Sequence, residues 1–478
     1  MKHHPLSKSL GLFLGPLLFL ILQISSLELI SDKADAVIAT ALWMVIWWIT
    51  EAVSISVTSL LPLLLFPLFK VMPIADVGAN YGSPIVFLFF GGFVLALALE
   101  KVNLHKRIAL SIIKLTGTTP NKVILGFMIA TAFMSMWISN TASTVVMLPI
   151  AMSVINLLIS DEDGFTKKDQ NFALSVMLGI AFSANAGGIA TVIGTPPNSV
   201  LIGLLENEYS IEISFLNWML IGLPFSATLI TIIYFVLIKL FPNKDLVFDA
   251  SNTVIKDELN KLGKISPKEK QVLLTFAIIV SLWIFRTIIN NIFPNLGLTD
   301  TMISILGALA LFTIPHNLKQ GDFILEWKDT QKLAWGILIL FGGGLALAKG
   351  MSASGIVDIV ATTISNSEIS ILFTESLLII LMLFMTELMS NVALTAVLAP
   401  VVAGIAIGLE IPILYLLIPV TMASSCAFML PMATPPNAIV FASGFVKVHQ
   451  MARVGIILNL IAVALLILMF QFFIPLVF

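Results

Sequence analysis

The chain has 478 residues, of which 58% are hydrophobic and 11% charged, with a formal net charge of −2 and a mean hydropathy of +1.05. Soluble domains carry about 25% charged residues, so this composition excludes an ordinary water-soluble enzyme or binding module and implies a polytopic membrane protein. A single cysteine, Cys426, excludes an internal disulfide and a cysteine-based metal cluster, and no basic patch or nucleic-acid motif appears.

The N-terminal MKHHPLSKSL is basic and precedes an apolar run, as in a signal peptide. No small-residue cleavage site follows, so a retained first span over Gly11–Leu29 is the better reading. Ala34–Thr50 is the second span, with Trp47 and Trp48 at its end as interface markers. Ala52–Phe69 is the third, bent by Pro62 and Pro67. Ser83–Leu99 is the fourth and contains Gly91 and Gly92. A basic connection follows, with Lys101, Lys106, Arg107, Lys114 and Lys122.

Val123–Ile159 is long enough for one tilted span or for two half-length helices joined by a turn. Its middle reads MSMWISNTASTVVMLPI, Met134–Ile150, and six hydroxyl or amide side chains at half depth favour the hairpin. Phe172–Gly203 is apolar, but its centre, SANAGGIATVIGTPPN, cannot run as a regular helix through Gly187, Gly188, Gly194, Pro196 and Pro197. An acidic link holds Glu206, Glu208 and Glu212, and Phe215–Leu240 spans again. The polar stretch Phe241–Glu269, with a surface helix near Asp257–Leu262, divides the chain.

The second half repeats the first. Val272–Ile289 and the short Met302–Ile314 are spans. Leu333–Lys349 contains FGGGLALA, echoing FFGGFVLALA at Phe89–Ala98. Ile371–Ile407 holds MTELMSNVALTAVLAPV, Ile411–Ser443 holds ATPPN, and Val454–Leu476 is the last span. The SN pairs are offset by 390 − 139 = 251 and the glycine pairs by 342 − 91 = 251. The TPPN turns are offset by 434 − 195 = 239. Three landmarks in one order indicate a duplication. Basic segments at the N-terminus, 101–122, 239–270, 319–332 and 447–453 share one face if 123–159 returns to its own side. That face is the cytoplasmic one. The hairpin at 371–407 then enters from outside, which makes the halves inverted repeats.

A lone SNT motif reads as ordinary packing between membrane helices. Two hairpins and two broken helices read differently. Half-helix N-termini bring free N–H groups and partial positive charge to the midplane, which suits a carboxylate, while carbonyl, Ser, Thr and Asn oxygens suit Na⁺. Each SN motif faces one TPP turn in this scheme, giving two cation sites that flank one substrate site.

SNT at Ser139–Thr141, SNV at Ser390–Val392, and TPP at Thr195–Pro197 and Thr434–Pro436 resemble the divalent anion/sodium symporter family over nearly the whole chain. That family contains bacterial dicarboxylate transporters and animal citrate and dicarboxylate carriers. The resemblance implies an all-α polytopic fold of about eleven spans with two re-entrant hairpins, a homodimer, and an elevator motion of a transport domain against a scaffold. In this chain 1–82 and 214–332 are the expected scaffold segments, the latter with the loop at 241–269. The transport repeats are 83–213 and 333–449, and 450–478 is the C-terminal helix. The repeats hold hairpins at 123–159 and 371–407 and broken helices at 172–203 and 411–443.

The resemblance assigns one Na⁺ site to Ser135, Ser139, Asn140 and Gly194, and another to Thr386, Met389, Asn391 and Ala433. Substrate falls to Asn140, Thr141, Thr195, Asn391, Thr434 and Pro435. Val392 departs from the usual second SNT and removes a hydroxyl, which Thr395 replaces only in part.

Outside the motifs, Glu387 either acts on the site, by tuning the second cation or holding its hairpin, or simply pairs with a donor in a polar pocket. Arg286, Lys349 and Glu375, near predicted span ends, read as solvated or interfacial. Trp137 and the glycine runs read as packing, and His3, His4, His105, His316 and His449 as loop residues. The implied function is Na⁺-coupled uptake of a C4-dicarboxylate by a non-enzyme in the cell inner membrane, with the N-terminus in the cytoplasm. Its rivals are Na⁺-independent dicarboxylate or 2-oxoglutarate exchange, sulfate transport and an anion channel.

Overall fold

The computed structural model describes residues 6–24, 31–117, 119–159, 166–243, 251–317, 322–366 and 369–477. They are helical throughout except for one small antiparallel pair, Pro315–Asn317 with Asp322–Phe323. Among the described residues, eight helical segments are long and apolar enough to cross a membrane, and six shorter apolar segments accompany them. This is an all-α polytopic membrane protein. The end of the first expected span, 25–29, lies outside the described residues, and its helix is Leu6–Ile24.

The first expected hairpin is two helices, Pro120–Ser135 and Asn140–Ile159, joined at 136–139. The second is Ile371–Met385 and Asn391–Gly408. Ser139 and Ser390 cap the returning helices by accepting from Ala142 N at 3.1 Å and Ala393 N at 3.5 Å. Both expected broken helices are broken. Lys167–Gly188 stops at its glycine pair, and a helix resumes at Pro196–Tyr209. Ile413–Ser424 resumes as Pro435–Ala442. Thr195 and Thr434 are extended, as residues before proline must be, and the prolines fall in the first helical turn where no N–H is needed.

Several expectations are corrected. The span over 52–69 is two short helices, Ile55–Thr58 and Leu61–Leu68, because Pro62 has no N–H for the Thr58 carbonyl and the helix cannot run through. Arg286 is not interfacial. Only 9% exposed, it reaches Glu212 at 2.6 Å and lies 3.4 Å from Asp300, whose other oxygen accepts from Phe215 N at 2.8 Å. Glu375 is not interfacial either. Its helix packs against Ile413–Ser424 and Val448–Phe472, and both carboxyl oxygens are buried without a hydrogen-bond partner. Lys349 is half-buried.

The basic connection contains the amphipathic helix Leu104–Thr116. Its Arg107 grips Glu269 at 2.6 Å and the carbonyls of Gly263 and Leu262 at 3.0 and 3.1 Å. Lys106 pairs with Glu258 at 2.8 Å on the surface helix Ser251–Lys261. His105, expected in a loop, is buried in this helix with Nδ1 2.9 Å from the Leu99 carbonyl.

The glycine runs are close-packing sites. Helix Trp335–Ala353 sets Gly342 on Tyr81, Gly343 on the Ser59 backbone and Gly344 on Ala396. Gly91 lies against Ser304 on the helix Asp300–Thr313. A Cβ on Gly343 would lie 2.7 Å from the Ser59 Cβ. Gly343→Val is expected to destabilise the protein by about 1–3 kcal/mol through overpacking. A melting midpoint in detergent equal to wild type would contradict this contact.

Candidate functional site

The turn at 136–139 is held by Trp137, which stacks on Phe215 at 6.2 Å and meets Phe276 edge-on at 5.1 Å. Trp137 is therefore packing, as expected. Behind it, Ser135 Oγ contacts Asn140 Oδ1 at 2.6 Å and donates to the Ala184 carbonyl at 2.7 Å. With its nitrogen turned toward this cluster, the Asn140 amide donates to Ser135 Oγ at 2.6 Å, Gly194 O at 3.2 Å and Ala184 O at 3.3 Å. With its oxygen turned that way, the Ser135 hydroxyl faces three other oxygens, those of Asn140, Ala184 and Gly194. The cluster is therefore a group of neutral oxygens around one amide.

The second half repeats it. Thr386 Oγ1 lies 2.7 Å from Asn391 Oδ1 and 2.7 Å from the Ser424 carbonyl. Thr386 stands 386 − 135 = 251 residues from Ser135, and Asn391 stands 391 − 140 = 251 from Asn140. The carbonyls are offset by 424 − 184 = 240. Met389 lies in the turn, and Ala433 occupies the place of Gly194. The halves differ in tolerance. A Cβ on Gly188 would lie 2.5 Å from Asn140 Oδ1, and one on Gly194 would collide with the Gly188 carbonyl. Ala427 and Ala433 fill the matching positions in the second half.

The broken helices expose backbone groups that must find partners inside the protein. Asn198 Nδ2 donates to Thr191 O at 2.8 Å and reaches toward Ile189 O and Gly188 O at 3.4 and 3.5 Å. Trp218 Nε1 donates to Ile189 O at 3.0 Å, and Thr191 Oγ1 to Met136 O at 2.5 Å. Asn437 repeats Asn198, donating to Ala427 O and Leu430 O, both at 3.1 Å. Glu387 serves the donors: its carboxylate accepts from Phe428 N and Met429 N at 2.9 Å, Leu430 N at 3.1 Å and Asn459 Nδ2 at 2.7 Å. Between the two readings of Glu387, the geometry favours holding the backbone.

Of the expected substrate residues, Thr141 and Pro435 are exposed, Asn140 and Asn391 half-buried, and Thr195 and Thr434 buried. Helix Pro435–Ala442 packs against Asn140–Ile159, and Pro196–Tyr209 against Asn391–Gly408, so the helix after each TPP turn packs on the SN helix of the other half. A cavity of about 100 Å³ reaches Ser139, Gly194 and Pro196, with Glu100 and Lys332 on its rim. Thr395 does not replace the missing hydroxyl. It is fully buried and donates to Asn391 O at 2.8 Å, as Thr144 does to Asn140 O at 2.8 Å, so it is the counterpart of Thr144.

Sequence reasoning missed Asn185, Asn198, Asn437 and Asn459. The two TPPN asparagines were readable as the fourth letter of each repeated motif. Asn185 and Asn459 stand as single amides in apolar stretches.

Residues 10–478 match the family model described as the sodium:sulfate symporter transmembrane region. The chain belongs to the divalent anion/sodium symporter family. This is a family of transporters rather than of enzymes. The chain is 39% identical over 484 aligned residues to the sodium-dependent dicarboxylate transporter SdcS of Staphylococcus saprophyticus, covering 99% of this chain and 93% of that protein. It is also 39% identical to SdcS of Staphylococcus aureus strain USA300 over 479 residues, covering 98% and 91%. Among solved structures, the YdaH transporter of Alcanivorax borkumensis aligns with a TM-score of 0.56 at 12% identity, over 84% of this chain and 87% of that one. That likeness is one of fold alone.

Glu387→Ala strands three backbone donors in an apolar interior, at about 1–3 kcal/mol for each unsatisfied group. Glu387→Gln keeps one acceptor oxygen and is expected to melt between the alanine variant and wild type. Equal midpoints for all three proteins in detergent would refute the backbone-holding role.

Proposed function

We propose that the chain is a secondary active transporter that carries C4-dicarboxylates such as succinate, malate or fumarate into the cell together with Na⁺. The observation that carries this is the pair of matched clusters, Ser135–Asn140–Ala184 and Thr386–Asn391–Ser424, each made of neutral oxygens and closed by one amide. Such donor sets suit a hard monovalent cation. Ser139, Asn140 and Gly194 complete the first site, and Met389, Asn391 and Ala433 the second. Substrate carboxylates meet Asn140, Thr141, Thr195, Asn391, Thr434 and Pro435 at the starts of four helices, where free N–H groups supply positive potential without a buried cation. The sodium-dependent dicarboxylate transporters named above support the same substrate and ion.

We take the two halves as inverted repeats, with about eleven spans and two re-entrant hairpins in all. The hairpins and broken helices move as a transport domain against the scaffold. Basic segments such as Lys101–Lys122 support a cytoplasmic face that carries them and the N-terminus, for a protein of the cell inner membrane. The cavity whose rim holds Glu100 and Lys332 then opens the first site toward the cytoplasm. The functional unit is a homodimer, which would cover part of the apolar surface on helices such as Pro267–Ile292.

Labelled succinate is expected to accumulate in proteoliposomes only under an inward Na⁺ gradient. Equal uptake without the gradient would sink the symport reading. Asn140→Ala and Asn391→Ala are each expected to abolish accumulation, and unchanged transport in both would sink the site assignment.

Val392 favours a second reading, sulfate transport on the same fold, because it withholds a carboxylate-binding hydroxyl. Competition decides: sulfate that displaces succinate at comparable concentration would support it. On the dicarboxylate reading, Val392→Thr is expected to lower the succinate KM by about fivefold, since a neutral hydrogen bond contributes about 1 kcal/mol. An unchanged KM would remove residue 392 from the substrate site.

A further inference from the structure

The two broken helices pack reciprocally. Lys167–Gly188 lies against Pro435–Ala442, and Ile413–Ser424 lies against Pro196–Tyr209. On the first side a single side chain ties the elements together. Asn185 Nδ2 donates across to Thr434 Oγ1 at 3.0 Å, Ala427 O at 3.2 Å and Asn437 Oδ1 at 3.3 Å. One amide nitrogen thus fills a pocket made of three oxygens.

The second side has the same oxygens but no such nitrogen. Counting from the carbonyls that Ser135 and Thr386 bind, the residue matching Asn185 is Ser425, offset by 425 − 185 = 240. The oxygens matching its acceptors belong to Gly188, Thr195 and Asn198, each offset by 239, as 427 − 188, 434 − 195 and 437 − 198 show. Ser425 is too short to do what Asn185 does, and it carries an oxygen where the amide carries its N–H groups. The consequence is visible in the hydrogen bonds. Ser425 Oγ and Asn198 Oδ1 are both buried with no hydrogen-bond partner. Thr195 makes no side-chain cap to its helix, although Thr434 caps its own by accepting from Asn437 N. Asn437 Oδ1, by contrast, is satisfied by Asn185. Asn198 Oδ1 is an acceptor that the missing amide would have served, and Ser425 Oγ stands in the amide's own place.

We propose that a Na⁺ ion occupies the position on this side that the Asn185 amide nitrogen occupies on the other. Its ligands are Ser425 Oγ, Asn198 Oδ1, Thr195 Oγ1 and the Gly188 carbonyl. All four are neutral oxygens, a donor set for a hard monovalent cation rather than for a divalent one, which draws carboxylates. Its side-chain ligands differ from those of the two sites described above, which are Ser135, Ser139, Asn140, Thr386 and Asn391, and its Gly188 carbonyl borders Gly194 of the first. It lies between the broken helices, against the Thr195–Pro196 turn. Binding here couples the junction of the two halves to the ion gradient. The inference rests on the sodium-coupled reading of the preceding subsection.

The test exploits the pseudo-symmetry. Ser425→Asn restores the amide and so replaces the ion with a covalent donor. Ser425→Ala removes one ligand. Purified full-length protein in detergent is titrated with ²²Na⁺ at equilibrium, and melting midpoints are recorded in NaCl and in choline chloride. Ser425→Asn is expected to bind one Na⁺ fewer per chain than wild type, with a smaller rise in midpoint on adding NaCl. Ser425→Ala is expected to weaken the affinity of one Na⁺ about tenfold. If wild type binds Na⁺ and both variants bind the same number with the same affinity, the gap holds water and the proposal is wrong. If Ser425→Asn does not fold, an unchanged titration of Ser425→Ala overturns it alone. If wild type binds no Na⁺ at all, the sodium-coupled reading itself fails, and this inference falls with it.

Discussion

A backbone that leaves its helix at half depth in an apolar interior has to find hydrogen bonds there, because no bulk water supplies them. That single requirement organises the centre of this protein. Four helices end or begin there, and nearly every polar side chain nearby is spent on their free groups. Asn198 and Asn437 collect stray carbonyls, Glu387 collects three stray N–H groups, and Trp218 and Asn185 reach in from neighbouring elements. What remains after these assignments is a small number of uncommitted oxygens. Those are the groups free to coordinate a moving ion or anion.

The same requirement explains why the site contains no lysine or arginine. A buried cation would bind a carboxylate tightly at all times and would itself need a partner when the substrate leaves. Helix ends carry their partial charge with them and need none. On the proposed reading, small ions that arrive with the substrate supply the rest, and Asn140 and Asn391 serve both. The surrounding scaffold is held by different forces. Glycine faces bring helices together, as Gly91 and Gly343 do, and the Arg107 grip on Glu269 fastens the helix 104–116 to its neighbours.

Much of this was legible in the sequence, because each motif is written twice. Each SN motif falls at the start of a helix after a turn, and each TPPN motif opens a helix after a break. Hydropathy erred where proline chemistry overrides it, as at Pro62, where one apolar run is two helices. It also erred for Arg286 and Glu375, since distance from a span end says nothing about which loop or helix folds over a residue. The role of Glu387 was beyond reach for another reason. Its partners are backbone groups at 428–430, which no side-chain pattern reveals. Thr395 was misjudged by proximity to Val392, when its register matches Thr144.

The glycines at 188 and 194, set against alanines at 427 and 433, give the two halves unequal evolutionary freedom. In the first half a single methyl group closes the cage on Asn140, so that stretch can drift only through residues without a side chain. The second half already accommodates methyl groups and has room to vary. It is also the half that carries Val392 in place of threonine. In the proposed transporter, any bulk added at 188 or 194 meets Asn140 or the Gly188 carbonyl, whereas 427 and 433 already carry methyl groups.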